Sequence, residues 1–238
     1  MRIALIGYGK MGKAIETIAL QKGHEIVLKI DLDNAYELTK QYLDDADVAI
    51  EFTGPASAID NIKKCINAGT PVVSGSTGWL EHWQEVEQYC TQHKGSLLYA
   101  SNYSIGVNLF FELNKYLAKL MEPYGEYDVQ MEEVHHTQKK DAPSGTAITL
   151  AEQVLANIGR KKSWVNQQAG NTDELQIISE RIDPAPGTHK IKYTSPIDDI
   201  EIIHTAHNRV GFAGGAVLAA EFLAGKKGIY SMKDVLGL

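Results

Sequence analysis

The chain has 238 residues, 44% hydrophobic and 22% charged, with a formal net charge of −7. That length holds one large domain or two small ones with proper cores, and the composition is that of a soluble globular protein. The negative balance, with no basic run longer than Arg160-Lys161-Lys162, argues against a nucleic-acid or anionic-membrane surface, so neither nucleic acid nor membrane is an expected partner.

The first hundred residues alternate short apolar runs with helical patterns. Ile3–Ile6, Glu25–Ile30, Val48–Phe52, Pro71–Ser74 and Leu97–Ala100 read as strands largely without polar alternation, as in a parallel sheet covered on both faces. Met11–Lys22, Ala56–Ala68 and Leu80–His93 carry helix-period apolar positions between them. After Asn102 the pattern changes. A long amphipathic helix is expected over Gly106–Met121, a strand over Tyr127–Val134, and a helix from Ser144 to about Ile158. The polar stretch Ser163–Asp173 reads as a surface loop. Leu175–Ile182, His189–Thr194 and Ile200–Ala206 are then three strands without intervening helices, and Ala213–Leu223 is apolar enough for a buried helix returning to the first domain. Cys65 and Cys90 fit no metal or redox spacing. No apolar span of membrane length and no signal peptide is apparent, which makes a cytoplasmic location the expectation.

Gly7-Tyr8-Gly9-Lys10-Met11-Gly12 fits G-x-G-x-x-G directly after the first strand. Gly7 permits the tight turn, Gly9 lets backbone approach a pyrophosphate, and Gly12 allows close helix–strand packing. Asp31 ends the second strand about 20 residues later, where a carboxylate bonds ribose hydroxyls, with Asp33 as fallback. The reading is an α/β chain: a Rossmann-like doubly wound parallel sheet, plus a second α+β domain with a mixed or antiparallel sheet. NADH, NADPH or both are the expected cofactors. NADH is favoured, because Leu32 stands where an arginine would help a 2′-phosphate and Asp31 would repel it, although Lys29 or Lys10 leaves dual use open. Gly75-Ser76-Thr77-Gly78 and Ala100-Ser101-Asn102-Tyr103 follow strands at the sheet edge where such ligands bind.

The richest segment is Glu133 to Thr146. His135 and His136 are adjacent at a strand end and therefore point to opposite faces, and Lys139 follows a few residues on. Asp141, Ser144 and Thr146 are all plausible N-caps, and Pro143 suits a first helical turn. Proton donors beside an anion-binding helix start point to chemistry on a small acidic molecule. No metal is expected: no third ligand stands at a suitable short spacing, although His189, His204 and His207 leave convergence in space open.

The run Glu133-Val134-His135-His136-Thr137-Gln138-Lys139-Lys140-Asp141-Ala142-Pro143-Ser144-Gly145-Thr146-Ala147 resembles the signature of the 4-hydroxy-tetrahydrodipicolinate (dihydrodipicolinate) reductases. Gly7–Gly12, Glu51-Phe52-Thr53, Gly75–Gly78, Ala100–Val107 and Phe212-Ala213-Gly214-Gly215-Ala216 extend the resemblance in the family's order. It implies an NAD(P)H-dependent step in lysine and diaminopimelate synthesis on a small dicarboxylate substrate, in a homotetramer built through the second-domain sheet. By motif position His135 and Lys139 are the proton-donating pair, His136 contacts a substrate carboxylate, and Gly145 and Thr146 hold a carboxylate. The same match places cofactor contacts at Gly7, Tyr8, Gly9, Lys10, Met11, Gly12, Asp31, Gly75, Ser76, Thr77, Ala100, Ser101, Asn102 and Tyr103.

Residues 1–104 and 212–238 form the expected dinucleotide-binding domain, and 105–211 the substrate-binding and oligomerisation domain. Closure is expected around Tyr103–Gly106 and Asn208–Gly211. The chain departs from the family in a short Asp31–Asp47 stretch. It departs again in the loop Arg181-Ile182-Asp183-Pro184-Ala185-Pro186-Gly187-Thr188-His189, which gains two prolines and loses an acid. Two other readings remain open: a dehydrogenase of another imine or keto acid, and a non-catalytic NAD sensor, which the His135-His136-Lys139 set disfavours.

Overall fold

The computed structural model describes every residue except Arg209, which falls within the second of the segments expected to hinge, so that segment lies partly outside the described residues. The chain divides into two units, Met1–Ile105 with Val210–Leu238, and Gly106–Arg209. In chain order the strands are β1 (Arg2–Ile6), β2 (Glu25–Ile30), β3 (Val48–Glu51), β4 (Val72–Ser74), β5 (Ser96–Tyr99), β6 (Asp128–His135), β7 (Ser163–Val165), β8 (Glu174–Arg181), β9 (Gly187–Thr194), β10 (Asp199–Ala206) and β11 (Gly228–Tyr230). The helices are α1 (Lys10–Gln21), α2 (Lys40–Leu43), α3 (Pro55–Ala68), α4 (Trp83–Gln92), α5 (Ile105–Met121), α6 (Gly145–Asn157), α7 (Val210–Leu223) and α8 (Met232–Leu236).

The first unit is a six-stranded sheet in the order β11-β5-β4-β3-β1-β2, with every neighbouring pair parallel. Both faces are covered, which is why its strands read as apolar without alternation. On β1, Ile3 and Leu5 join a core with residues of α1 and α7, while Ala4 and Ile6 join one with residues of α3 and α4. The strand order reverses between β1 and β3, and ligands of doubly wound sheets bind at such switch points. Helix α7 packs through small residues: a Cβ at Gly215 would lie 1.7 Å from the Tyr103 carbonyl oxygen. The short Asp31–Asp47 stretch holds a 3₁₀ turn over Leu32–Glu37 and the single-turn α2. Those elements, β11 and α8 are too short for periodicity to reveal.

The second unit is a mixed sheet ordered β10-β9-β6-β8-β7, antiparallel across β10, β9 and β6 and parallel across β6, β8 and β7. One face carries the core, where Phe110 and Phe111 of α5 and Leu150 and Val154 of α6 meet Val129, Met131, Ile177, Ile191 and Tyr193. The other face carries a lattice of ion pairs: Lys190 with Glu201 at 3.0 Å and Lys192 with Asp199 at 2.7 Å. Ser163–Asp173 is not all loop: Ser163–Val165 pairs with Glu174–Gln176 as an edge strand. Trp164, which packs against the core, holds that strand in place.

Candidate active site

At the carboxyl ends of β1 and β3 lies a cleft of about 430 Å³ lined in part by Gly7, Gly9, Asp31, Thr53, Gly54 and Asn61. A second, of about 440 Å³, takes in Gly9, Lys10, Met11, Gly75, Ser76 and Thr77. The glycines differ in purpose. Gly7 has φ +93°, and a Cβ there would lie 2.1 Å from the Phe52 carbonyl oxygen. A Cβ at Gly12 would lie 2.4 Å from the Gly7 carbonyl oxygen. At Gly9 a Cβ would meet no protein atom within 4 Å, and Gly9 caps α1 with no side-chain hydrogen bond. Open space at an uncapped helix start fits a dinucleotide pyrophosphate, so Gly7–Gly12 would hold it. Asp31 lines the cleft while accepting the Leu32 amide at 2.9 Å.

Beneath the cleft, the wholly buried Glu51 accepts Thr53 N at 3.0 Å, Ser74 Oγ at 2.6 Å and Ser76 Oγ at 2.7 Å, fastening two lining loops to the sheet. The sequence reading gave Glu51 no role. Two expected contacts point elsewhere with their side chains. Tyr8 turns to Glu16 and Lys29, and the Lys29 ammonium lies 4.8 Å from its ring centroid. Tyr103 is buried, donating to the Ser74 carbonyl at 2.7 Å. The Ala100–Tyr103 segment runs beside Gly75, with the Ala100 amide 3.4 Å from the Ser74 carbonyl, and Asn102 accepts the Ser104 amide at 2.9 Å; Ser101 is exposed.

The second cluster is assembled by strand register. On β6 the side chains of Val129, Met131, Glu133 and His135 share the buried face. Glu133 lies opposite Ser179 on β8 and opposite His189 on β9, and His135 lies opposite Arg181. The Glu133 carboxylate is fully enclosed, and its two oxygens have different neighbours. Oε1 accepts Ser179 Oγ at 2.7 Å, Ser144 N at 3.0 Å and Arg181 Nη2 at 3.2 Å. Oε2 accepts Ser144 N at 3.2 Å and faces His135 Nδ1 at 3.4 Å and His189 Nε2 at 3.7 Å. Burial pushes this carboxyl up, but the interactions with His135, Ser144 and Ser179 outweigh it and hold Glu133 well below the usual carboxylate range. His189 goes the other way: burial, then the neighbouring His135, push it down to about 3.

Ser144 caps α6, its Oγ accepting Ala147 N at 3.2 Å and lying 3.2 Å from His189 Nε2. It is therefore the N-cap among the three candidates, and Pro143 precedes the helix rather than occupying its first turn. Gly145 is exposed and Thr146 half-buried in that first turn. Lys139 is bound to both oxygens of Asp141 at 2.9 Å. Arg181 laces this loop down, donating to the carbonyls of Lys139 at 3.3 Å and Asp141 at 2.5 Å. His136 is half-buried, just past the strand end. The altered loop is fastened to the same segment: Ile182 N donates to the His135 carbonyl at 2.7 Å, and Asp183 accepts Thr137 N at 3.1 Å and Thr137 Oγ1 at 2.5 Å.

Sequence reasoning missed the network of Glu133, Ser179, Arg181 and His189. One signal was available: Glu133 interrupts an apolar period-2 stripe, and an acid on a core face needs partners. The histidine convergence left open by the sequence takes a different form. His189 meets Glu133 and His135, whereas His204 lies opposite His189 on β10 with its ring 5.9 Å from Phe110.

Residues 1–103 match the family model described as dihydrodipicolinate reductase, N-terminus, and residues 106–236 the one described as its C-terminus. The chain belongs to the dihydrodipicolinate reductase family. It is 49% identical over 236 residues to a 4-hydroxy-tetrahydrodipicolinate reductase from Christiangramia forsetii, covering 99% of this chain and 98% of that one. A second reductase of that name, from Methanocaldococcus jannaschii, is 34% identical over 98% of this chain and 81% of its own. Among solved structures, a dipicolinate-bound dihydrodipicolinate reductase from Paenisporosarcina sp. TG-14 superposes with TM-score 0.75 and 24% identity over 97% of both chains. The scyllo-inositol dehydrogenase of Lactobacillus casei, with bound cofactor NAD(H) and scyllo-inositol, reaches TM-score 0.54 at 14% identity over 94% of this chain and 87% of its own, a likeness of fold. As a dihydrodipicolinate reductase family member the chain is an oxidoreductase, and a nicotinamide dinucleotide is the cofactor class implied.

Proposed function

We propose that the chain reduces 4-hydroxy-tetrahydrodipicolinate to tetrahydrodipicolinate in lysine and diaminopimelate biosynthesis, working in the cytoplasm as a homotetramer. NAD(P)H supplies the hydride, one proton is taken up and one water leaves. The observation that carries this reading is the buried Glu133 carboxylate, which joins the start of α6 to His135. An anion-binding helix start and a proton donor are thereby fixed to one group. A ring with two carboxylates needs both.

In this reading His135 turns Nδ1 inward toward Glu133 and delivers the proton from Nε2. The carboxylate stabilises the charged ring before transfer, as an acid does behind a catalytic histidine. Gly187 leaves room for this: a Cβ there would lie 3.0 Å from His135 Nε2. Lys139, held by Asp141, is the second donor, and His136, Gly145 and Thr146 receive the substrate carboxylates. NADH is the preferred cofactor because Asp31 lines the ribose end of the cleft and the nearby Lys29 is engaged with Glu16 at 2.5 Å.

The test is coupled synthesis of the substrate with NADH or NADPH oxidation followed by absorbance. Turnover is expected with a higher kcat/KM for NADH; none with either cofactor refutes the activity, and clear NADPH preference refutes the specificity. His135→Ala and Lys139→Ala should each lower kcat by about 10²–10⁴, with smaller changes in KM. Near-normal kcat in either variant removes that residue from the chemistry.

A further inference from the structure

Glu133, His135 and His189 each present a ligand atom within 4.8 Å of the other two, and all three residues are buried. We propose that these residues form a binding site for a divalent transition-metal ion of the zinc class, and that occupying it stops proton delivery from His135. The second half rests on the role given to His135 above; the first does not.

The donor set is one carboxylate oxygen and two imidazole nitrogens, a combination zinc and its neighbours accept. A tetrahedral ion with bonds of about 2.0–2.2 Å needs donor atoms about 3.3–3.6 Å apart. Glu133 Oε2 lies 3.4 Å from His135 Nδ1 and 3.7 Å from His189 Nε2, so two edges of the tetrahedron already stand within a few tenths of an ångström. Ser144 Oγ, 3.2 Å from His189 Nε2, borders the same space. Neighbouring strands hold these positions in register, so little ordering remains for an ion to impose.

The state of each donor fits as well. His135 is 8% exposed, and its Nδ1 lies sealed from solvent without a hydrogen bond of acceptable geometry. His189 is 5% exposed, and its Nε2 lies 3.7 Å from Glu133 Oε2. Glu133 is ionised, and its cationic neighbour Arg181 sits on Oε1, leaving Oε2 to face the imidazoles.

The metal competes with a proton. Binding displaces the proton of His135 Nδ1 to solvent, and a nitrogen–metal bond forms in its place. The ring keeps its Nε2–H, but surrendering that proton now leaves an imidazolate, a far weaker proton source than imidazolium. Turnover therefore falls with occupancy.

The experiment uses the full chain stripped with a chelator. Cobalt(II) is the probe, because a four-coordinate ion gives an intense visible band, and zinc then displaces it. One cobalt per chain is expected, with zinc affinity falling at least tenfold in both His189→Gln and Glu133→Gln, each checked for fold by circular dichroism. His204→Gln, one strand away, should bind as wild type. Absence of the band, or unchanged zinc affinity in His189→Gln, overturns the site. Inhibition is measured at buffered free zinc, because a dicarboxylate flanking a ring nitrogen itself chelates the ion. Its midpoint should match the binding midpoint and reverse with chelator; full activity at saturating zinc overturns the regulatory role. If the chain reduces nothing, the cobalt measurement still decides the site.

Discussion

His189 shows how a buried residue links the site to stability. It lies 5% exposed against Glu133, Ser144 and the His135 ring, and burial holds its pKa near 3, against about 6.5 in an unfolded chain. For a base depressed by folding, the unfolded state takes the proton first. The folded state is therefore favoured fully above about pH 6.5, and the advantage drains as pH falls toward 3, by at most about 1.4 kcal/mol per pH unit. His189→Gln removes that dependence, so its urea midpoint should decline less steeply than that of the wild type between pH 6.5 and 4.5, measured with chelator present. Parallel declines would mean that His189 is protonated in the fold. At this scale the positions, rather than the roles, can be compared with the sequence. The motif marked His135 and Lys139, but Glu133, Ser179, Arg181 and His189 meet only because three strands pair in one register, and pairing is not written in any single segment.

At the scale of elements, the glycine loop after β1 separates folding from binding within three residues. Gly7 combines φ +93° with a carbonyl 2.1 Å from any added Cβ, so Gly7→Ala should destabilise the chain by roughly 2–4 kcal/mol. Gly9 has φ −81° and open space around its missing side chain. Gly9→Ala should keep the thermal midpoint while weakening NADH binding by about tenfold, because its methyl enters the space read as the pyrophosphate site. Intact NADH affinity in a folded Gly9→Ala chain would move the cofactor elsewhere. This loop, and the long elements α1, α3 and α5, follow the sequence reading to within a residue, since periodicity over many turns leaves little ambiguity. The three-residue strand β7 escaped it because a short edge strand is defined by its partner, here Glu174–Gln176.

At the scale of the whole molecule, the parallel sheet was legible because βαβ repetition forces it, whereas the mixed sheet's order β10-β9-β6-β8-β7 depends on long-range pairing. For the homotetramer proposed above, that second sheet is one candidate surface. Its helix-free face presents Ile203, 56% exposed, amid the Lys190–Glu201 and Lys192–Asp199 pairs. On α5, Leu109, Leu113, Tyr116 and Leu120 form a second apolar stripe, each between 47% and 64% exposed and spaced four, three and four residues apart. A tetramer of paired two-fold symmetry needs two distinct self-complementary surfaces, and these are two candidates. The charges on the sheet are already paired, which lowers the desolvation cost of covering it relative to unpaired charges. Sedimentation should therefore give the wild type four times the mass of one chain. Ile203→Arg, which adds an unpaired charge to the sheet face, should break one interface and yield dimers. Leu113→Lys should break the other and also yield dimers, and the two together monomers. Both substitutions fall on exposed side chains, so circular dichroism should be unchanged. A monomeric wild type, or a tetramer that survives both substitutions, rules out assembly through these surfaces.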